Sequence, residues 1–322
     1  MTDKIFGTDF ANSSAPQGTW TLSINDGSVL KDVALSDLHV GLSQWLRDGD
    51  GVNYTISATI SGTNLVFAIK GMDGNDPSTS NPVAFRIGAT RYVLTAPVSY
   101  VMSSGGNFFN AGGAELAGQS VDYFVYAIQE TGGAAGIKFG HSRIPYATTM
   151  GDFINSGASE KYIAGNYSAF NSTDLVRNIG RFRAQLSAGA SYNWSIPSAK
   201  VISRPTLESD WLNWTPVHTR ATTPYTNVPV NEYAKYIISN KRVIFNEGHT
   251  QNATPGGSGV QRVTAPFVNA TRIILGGMDV SVAFGVFSFF EAGGNSYLIF
   301  KYDGSDPTTA SHFYGTSGVY EI

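Results

Sequence analysis

The sequence contains no cysteine among its 322 residues. This excludes disulfide bonds, a thiolate nucleophile and metal sites built from thiolate ligands. Charged residues are scarce, at 14% of the chain, the net charge is −3, and Lys and Arg form no run. Because binding to a phosphate backbone requires clustered positive charge, nucleic acid is not an expected partner.

Long apolar runs are also missing. No stretch approaches the roughly 18 apolar residues of a membrane-spanning helix, so we expect no membrane insertion. The first residues, MTDKIFGTDFANSS, lack the basic and apolar regions of a signal peptide. We therefore expect assembly in a cytoplasm rather than secretion.

Glycine and aromatic residues are abundant, with 36 glycines and 12% Phe, Trp and Tyr. Many short strands joined by glycine-rich turns produce this composition. We predict an all-β protein with a minor α component, built from two β-sandwich or jelly-roll-like domains. The low charge further indicates that a stable assembly covers part of the surface.

Alternation of apolar and polar residues locates the strands. The predicted hairpins and strands are Tyr54 to Ile60 with Leu65 to Ile69, Val83 to Ile87 with Arg91 to Thr95, a central strand Val121 to Ile128, and Tyr233 to Ile238 with Arg242 to Phe245. Residues 160–164 and 172–179 are interpreted as short helices or irregular loops. The predicted segments are an attachment segment 1–50, a β domain 51–145, a connecting region 146–205 and a C-terminal sandwich 206–322.

One amphipathic helix is predicted over residues 36–47, with Ser36 as N-cap. Its apolar residues Leu38, Leu42, Trp45 and Leu46 follow helical spacing and share one face. Two interpretations stay open: the helix packs on its own domain, or it anchors the chain in a larger particle.

Two loops share the pattern Asp-Gly-x-Asp-Pro. Their oxygen-bearing residues are Asp73, Asn75 and Asp76 in one loop and Asp303 and Asp306 in the other. Such oxygens are ligands for Ca²⁺, but each loop lacks a bidentate acid at a suitable spacing. Asp, Gly and Pro favour turns for local reasons, so turn formation is the preferred interpretation.

Motifs for catalysis are not found. The sequence has no G-x-S-x-G, no glycine-rich phosphate loop and no H-E-x-x-H, and its five histidines have no ligand-like spacing. We therefore predict no catalytic residue, no metal site and no cofactor, although two glutamates meeting across a trimer interface stay possible. Aromatic side chains in loops are the remaining candidates for ligand binding, since sugars stack on such rings. The candidates for carbohydrate binding are Tyr225, Tyr314 and His312.

Several runs resemble structural proteins of tailed-bacteriophage virions. They are VDYFVYAIQ with IKFGHSRIPYATTMGDF, then EKYIAG, VRNIGRFRAQLSAGASYNWSIPS and RPTLESDWLNWTPVHT, and finally YAKYIISNKRVIF, TAPF, FKYDG and GVYEI. The C-terminal group resembles the β-sandwich heads of phage fibres. The resemblance covers about residues 52–322.

This resemblance implies a non-enzymatic virion component, such as a short trimeric fibre or spike. It would attach to capsid, tail or baseplate proteins and contact polysaccharide on the host cell surface. Two alternatives stay open at this point: a decoration or cement protein that stabilises the head without binding the host, and a polysaccharide depolymerase. A secreted lectin-like protein is disfavoured by the missing signal peptide.

Overall fold

The computed structural model of the chain is all-β, which confirms the predicted fold class. It describes residues 21–25, 30–34, 53–102, 120–133, 136–155, 161–187, 193–195, 201–252, 256–258, 260–267, 273–279, 281, 284–290, 296–301 and 311–322. A 3₁₀ turn, Met150–Asp152, is the helical element of these ranges, and none of their helical segments could cross a membrane. The predicted helix 36–47 lies outside the described residues.

The chain divides into two compact units. The first comprises Met1–Tyr54 and Lys70–Pro97, and the second comprises Thr55–Ile69 and Val98–Ile322. The first unit contains two antiparallel hairpins, β1 (Thr21–Asn25) with β2 (Leu30–Ala34) and β5 (Val83–Ile87) with β6 (Thr90–Leu94). The second of these hairpins was predicted, and its turn contains Gly88 at a φ of 57°, which glycine adopts without strain.

The second unit contains most of a three-stranded sheet and a six-stranded sheet. The three-stranded sheet has the order β3 (Tyr54–Ser61), β4 (Asn64–Gly71), β7 (Val98–Met102). The six-stranded sheet consists of β8 (Ser120–Glu130), β9 (Gly136–Ser142), β10 (Ile163–Gly165), β11 (Val176–Leu186), β12 (Trp194–Ser195) and β13 (Val201–Ile202). As predicted from its apolar sequence, β8 is central, because it pairs with β9 on one side and β11 on the other.

Residues predicted as short helices or loops belong to this six-stranded sheet. Segment 160–164 overlaps β10, and segment 172–179 leads into β11. A β-bulge in β11 lies between Asn178 and Gly180, and it interrupts the period-two pattern from which a strand is recognised. The Asn178 side chain stabilises the bulge by accepting from the Gly180 amide and donating to the Pro145 and Thr206 carbonyls.

A nine-stranded antiparallel sheet forms the C-terminal part of the second unit. Its order is β14-β16-β17-β22-β19-β20-β21-β18-β15. The strands are β14 (Leu212–Asn213), β15 (His218–Arg220), β16 (Val230–Ser239), β17 (Arg242–Thr250), β18 (Gln261–Thr264), β19 (Ile273–Asp279), β20 (Phe284–Phe290), β21 (Ser296–Lys301) and β22 (Phe313–Glu321). Strand β22 lies between β17 and β19.

The segment that contains β14 and β15 closes this sheet on itself. β14 pairs with β16 at one edge, and β15 pairs with β18 at the other edge. Only residues 214–217 separate the two strands, so both edges must lie beside the same short stretch of chain. The Trp214 amide bonds to Ala234 on the first side, and the Val217 amide bonds to the Thr264 hydroxyl on the second.

One hydrophobic cluster joins the six-stranded and nine-stranded sheets. It contains Phe124, Tyr126 and Ile128 of β8 together with Tyr236 and Phe245 of the nine-stranded sheet. The predicted boundaries at 145 and 205 stay predictions. Residues 146–205 supply strands to the sheet begun by β8, and that sheet shares its core with the C-terminal strands.

Candidate functional site

Inside the closed nine-stranded sheet, the interior changes from apolar to polar along β17. Alternate residues of this strand point inward, and Val243, Phe245, Glu247 and His249 are all at most 1% exposed. The first two contribute to the hydrophobic core, whereas the last two bring a carboxylate and an imidazole into the same interior. Burying a charged group costs free energy unless the group has partners, so the groups around Glu247 form a candidate functional site.

His218 of β15 completes a fully buried group that we call the interior His–Glu cluster, consisting of His218, Glu247 and His249. The His249 Nδ1 atom is 2.8 Å from Glu247 Oε1, and the His218 Nε2 atom is 4.0 Å from the same oxygen. One ligand-type atom from each of the three residues lies within 4.8 Å of the others. The two imidazole rings are 4.5 Å apart between centroids.

Three neighbouring side chains hold the cluster in place. The Tyr297 hydroxyl donates to Glu247 Oε2 at 3.1 Å. Gln261 Nε2 lies 3.0 Å from His249 Nε2 and 3.4 Å from His218 Nδ1, and Asn231 Oδ1 lies 2.6 Å from His218 Nε2.

Burial sets the protonation of these groups. It lowers the pKa of His218 to about 4, and the neighbouring His249 acts in the same direction, although Glu247 and Asn231 oppose it. His218 is therefore neutral at pH 7 and keeps one nitrogen lone pair. Burial also raises the pKa of Tyr297 well above its usual range, so its hydroxyl stays protonated and remains a donor to Glu247.

A surface groove adjoins the cluster. It encloses about 320 Å³, and we call it the Tyr233 groove; its lining residues are Asn213, Trp214, Thr215, Pro216, Asn231, Glu232, Tyr233, Ala234 and Lys235. Tyr233 is 39% exposed there. Asn231 connects the groove with the interior, because it is exposed, yet its Oδ1 atom accepts from His218 Nε2 and its Nδ2 atom donates to the Pro216 carbonyl. The groove thus offers an aromatic ring beside amide, carboxylate and ammonium groups.

The three residues predicted for carbohydrate binding are not brought into one site. Tyr314 is fully buried, so its ring presents no face to a sugar, and it is removed as a candidate. Tyr225 is half-buried with the Arg220 guanidinium 4.8 Å above its ring centre, so one of its faces is occupied. His312 is half-buried, with its Nδ1 atom 2.8 Å from Asp279 Oδ2.

The first Asp-Gly-x-Asp-Pro loop is held together by its own side chains. The Asp73 carboxylate accepts from the Asn75 amide nitrogens at 2.8 and 3.0 Å and from Asn81 at 2.9 Å. These hydrogen bonds, those of Asn75 foremost, lower the pKa of Asp73. Asp76 pairs with Lys70 at 2.7 Å. The contacts are those of a turn, which was the preferred interpretation.

Other predicted residues cannot be placed. Asp303 and Asp306 of the second loop, and the anchor candidates Leu38, Leu42, Trp45 and Leu46, lie outside the described residues. The attachment role of segment 1–50 stays a prediction.

Sequence reasoning missed the interior His–Glu cluster. It considered the five histidines by their spacing along the chain, where His218 and His249 are far apart. A usable signal was present in β17, because the alternation that places Val243 and Phe245 inward continues to Glu247 and His249. The approach of His218 depends on closure of the sheet, which no local pattern reveals.

Comparisons with known proteins do not assign the chain to a family. Neither protein-family models nor curated proteins give a match to this sequence. The resemblance to virion proteins stays a prediction.

Proposed function

We propose that the chain is a non-enzymatic structural component of a tailed-phage virion, displayed as a short homotrimeric fibre or spike that contacts host-surface glycans. The observation that carries the binding half of this proposal is the Tyr233 groove on the closed nine-stranded sheet. The virion half is supported by the resemblance of the motifs between residues 121 and 322.

The chemistry of the groove suits a carbohydrate. A sugar presents C–H groups on one face, which pack on an aromatic ring, and Tyr233 supplies such a ring at 39% exposure. Hydroxyl groups require hydrogen-bond donors and acceptors, and Asn213, Glu232 and Lys235 supply them around the ring. The ring and two of these three groups are on β16, a paired strand of ten residues, so the site is held by regular structure before a ligand arrives.

Self-association is supported by the outer face of the same sheet. Ile244 of β17 and Val319 of β22 are directly paired in register and are 36% and 46% exposed. Met278 of the next strand, β19, is 51% exposed. Interfaces in permanent homo-oligomers are enriched in such apolar residues, so we assign this face to contacts between copies of the chain.

Glycan binding is tested with purified chain and immobilised bacterial surface polysaccharides. The wild-type protein should bind at least one polysaccharide class, and Tyr233→Ala should reduce binding by about tenfold, since one stacked ring contributes about 1–1.5 kcal/mol. Trp211→Ala is the matched control, because Trp211 is 53% exposed and does not line the groove. Equal losses for both variants would contradict the assignment of the groove.

The remaining parts of the proposal are tested separately. Immunogold labelling should place the protein on phage particles, and sedimentation should give three times the chain mass of 34.4 kDa. Particles that lack the protein, adsorb normally to the host and have less stable heads would favour the cement alternative. Shortening of the polysaccharide chains during incubation would favour the depolymerase.

A further inference from the structure

We propose that the interior of the nine-stranded sheet is a binding site for a divalent transition-metal ion such as Zn²⁺, with His218, Glu247, His249 and Asn231 as ligands. The inference does not depend on the proposed virion role, because it concerns the interior of the fold and not what its surface contacts.

The ligand types fit the ion. Zn²⁺ is bound in proteins by imidazole nitrogen and carboxylate oxygen at about 2.0–2.2 Å in tetrahedral geometry, which places ligand atoms about 3.4 Å apart. The His249–Glu247 and His218–Glu247 atom pairs are 2.8 and 4.0 Å apart, and the ligand atoms of all three residues lie within 4.8 Å of one another. Shifts of about 1 Å in side-chain positions are therefore enough to surround an ion.

The charge of Glu247 points the same way. Its side chain is completely buried, and its two oxygens are met by His249 and by the Tyr297 hydroxyl. A buried carboxylate is costly without an opposite charge, and a divalent cation between the two imidazoles would provide it.

Gln261 gives an independent indication. Its Nε2 atom faces both imidazoles, at 3.0 Å from His249 and 3.4 Å from His218, whereas its buried Oε1 atom has no hydrogen-bond partner among the described residues. The two ends of an amide are exchanged by a half-turn. With Oε1 toward the rings, His249 Nε2 and His218 Nδ1 become the donors to Gln261. The lone pairs of His249 Nδ1 and His218 Nε2 are then directed at the side occupied by Glu247 and Asn231.

The surroundings also resemble the outer shell of a metal site. A ligating imidazole donates its second N–H to an oxygen acceptor, and a ligating carboxylate is itself hydrogen-bonded. The rotated Gln261 amide would meet the first requirement for both rings. The Tyr297 hydroxyl meets the second, at 3.1 Å from Glu247 Oε2.

Access is available through the Tyr233 groove. Asn231 is exposed in the groove, while its Oδ1 atom is 2.6 Å from His218 Nε2. One side chain therefore separates solvent from the cluster, and an ion can reach its ligands when Asn231 moves. The same amide oxygen then completes a set of two nitrogens and two oxygens.

Metal binding is tested on the full chain, purified without a histidine tag and stripped with a chelator. After addition of Zn²⁺ and dialysis, elemental analysis should find about one ion per chain. Co²⁺ should give the visible absorption of a tetrahedral site, and both ions should raise the melting temperature of the protein. A hydrogen-bonded network that takes no ion gives no retained metal, no Co²⁺ spectrum and no thermal shift, and that outcome would overturn the proposal.

Two variants locate the site. Glu247→Gln keeps the shape of the side chain and removes the anionic ligand. Loss of an outer-shell partner alone lowers metal affinity by up to about a hundredfold, so loss of this ligand should lower the affinity for Zn²⁺ by more than that. Asn231→Ala is safe for folding because Asn231 is exposed, and it should weaken Zn²⁺ binding severalfold and alter the Co²⁺ spectrum. His312→Asn is the control, since His312 lies with Asp279 outside the cluster. If the control loses zinc and both site variants retain it, the ion binds elsewhere and the assignment is refuted.

Discussion

The prediction with the largest expected effect concerns a buried ion network in the second unit. Asp122 of β8 accepts from Arg181 Nη1, from Arg183 Nε at 2.8 Å and from the Asp210 amide at 2.9 Å. Asp210 receives the other ends of both guanidinium groups at 2.9 Å. The network thereby ties β8 and β11 to the segment that leads into the nine-stranded sheet.

The two carboxylates should differ strongly in their contribution to stability. The Asp122 side chain is 2% exposed and that of Arg181 is 7% exposed, whereas that of Asp210 is 29% exposed. Removing one partner of a buried pair costs about 3–5 kcal/mol because the other charge stays uncompensated. Since Asp210 would still serve both arginines, we expect the lower end, about 3 kcal/mol, for Asp122→Asn. Solvent screens Asp210, and Asp210→Asn should cost about 1 kcal/mol.

Urea unfolding at pH 7, followed by far-ultraviolet circular dichroism, measures both effects as shifts of the midpoint at unchanged slope. Added salt should reduce the difference in urea midpoint between wild type and Asp210→Asn. The difference between wild type and Asp122→Asn should stay nearly unchanged, because buried ion pairs are screened less. A midpoint for Asp122→Asn equal to or above that of Asp210→Asn would refute the assignment of Asp122 as the buried centre of the network.

Three further outcomes are expected. Burial lowers the pKa of His141 to about 3. As the pH falls, His141 is therefore protonated in the unfolded chain before it is protonated in the folded one. The stability that neutral His141 contributes above about pH 6.5 is lost progressively toward pH 3. Between pH 6.5 and pH 4.5, urea titrations should show that His141→Phe loses about 2–3 kcal/mol less free energy of unfolding than the wild type does. Gly165→Ala should lower the free energy of unfolding by more than about 2 kcal/mol, because the added Cβ would lie 2.3 Å from the Phe139 carbonyl oxygen. Gly276→Ala is the control and should change the urea midpoint little, because there is open space around Gly276. Deletion of residues 313–322 removes a strand paired on both sides, and circular dichroism should then show loss of the sheet.

Local patterns in the sequence predicted most hairpins correctly. Segments around Val83, Leu65 and Tyr236 alternate with period two because one face of each strand is buried, and short polar turns separate them. Only the first part of β11 was missed, since residues 172–179 were interpreted as short helices or loops; the bulge between Asn178 and Gly180 interrupts the alternation there. Local patterns also do not reveal the shared core of β8 and the C-terminal strands, because it results from packing between residues far apart in sequence.

The candidate site was less accessible to sequence reasoning than the fold. Aromatic residues were considered by their position in loops, so Tyr314 was selected although it lies inward in β22. Tyr233 was correctly assigned to a strand and was not selected for binding, although it is 39% exposed. The simple alternation of β16 would have indicated this exposure, because Ala234, Tyr236 and Ile238 are buried and Tyr233 lies on the opposite face.

Closure of the nine-stranded sheet and the two candidate binding sites depend on the same short segment, residues 212–220. Asn213 and Trp214 of this segment line the groove, and His218 belongs to the interior His–Glu cluster. His218 is on an edge strand whose ladder has three residue pairs with β18, whereas Glu247 is on a strand paired on both sides. An ion held by both residues would therefore link a short edge strand of the sheet to its interior. Because a ligand stabilises only the state that binds it, metal binding would stabilise the closed sheet, and with it the wall of the groove that we propose for glycan contact.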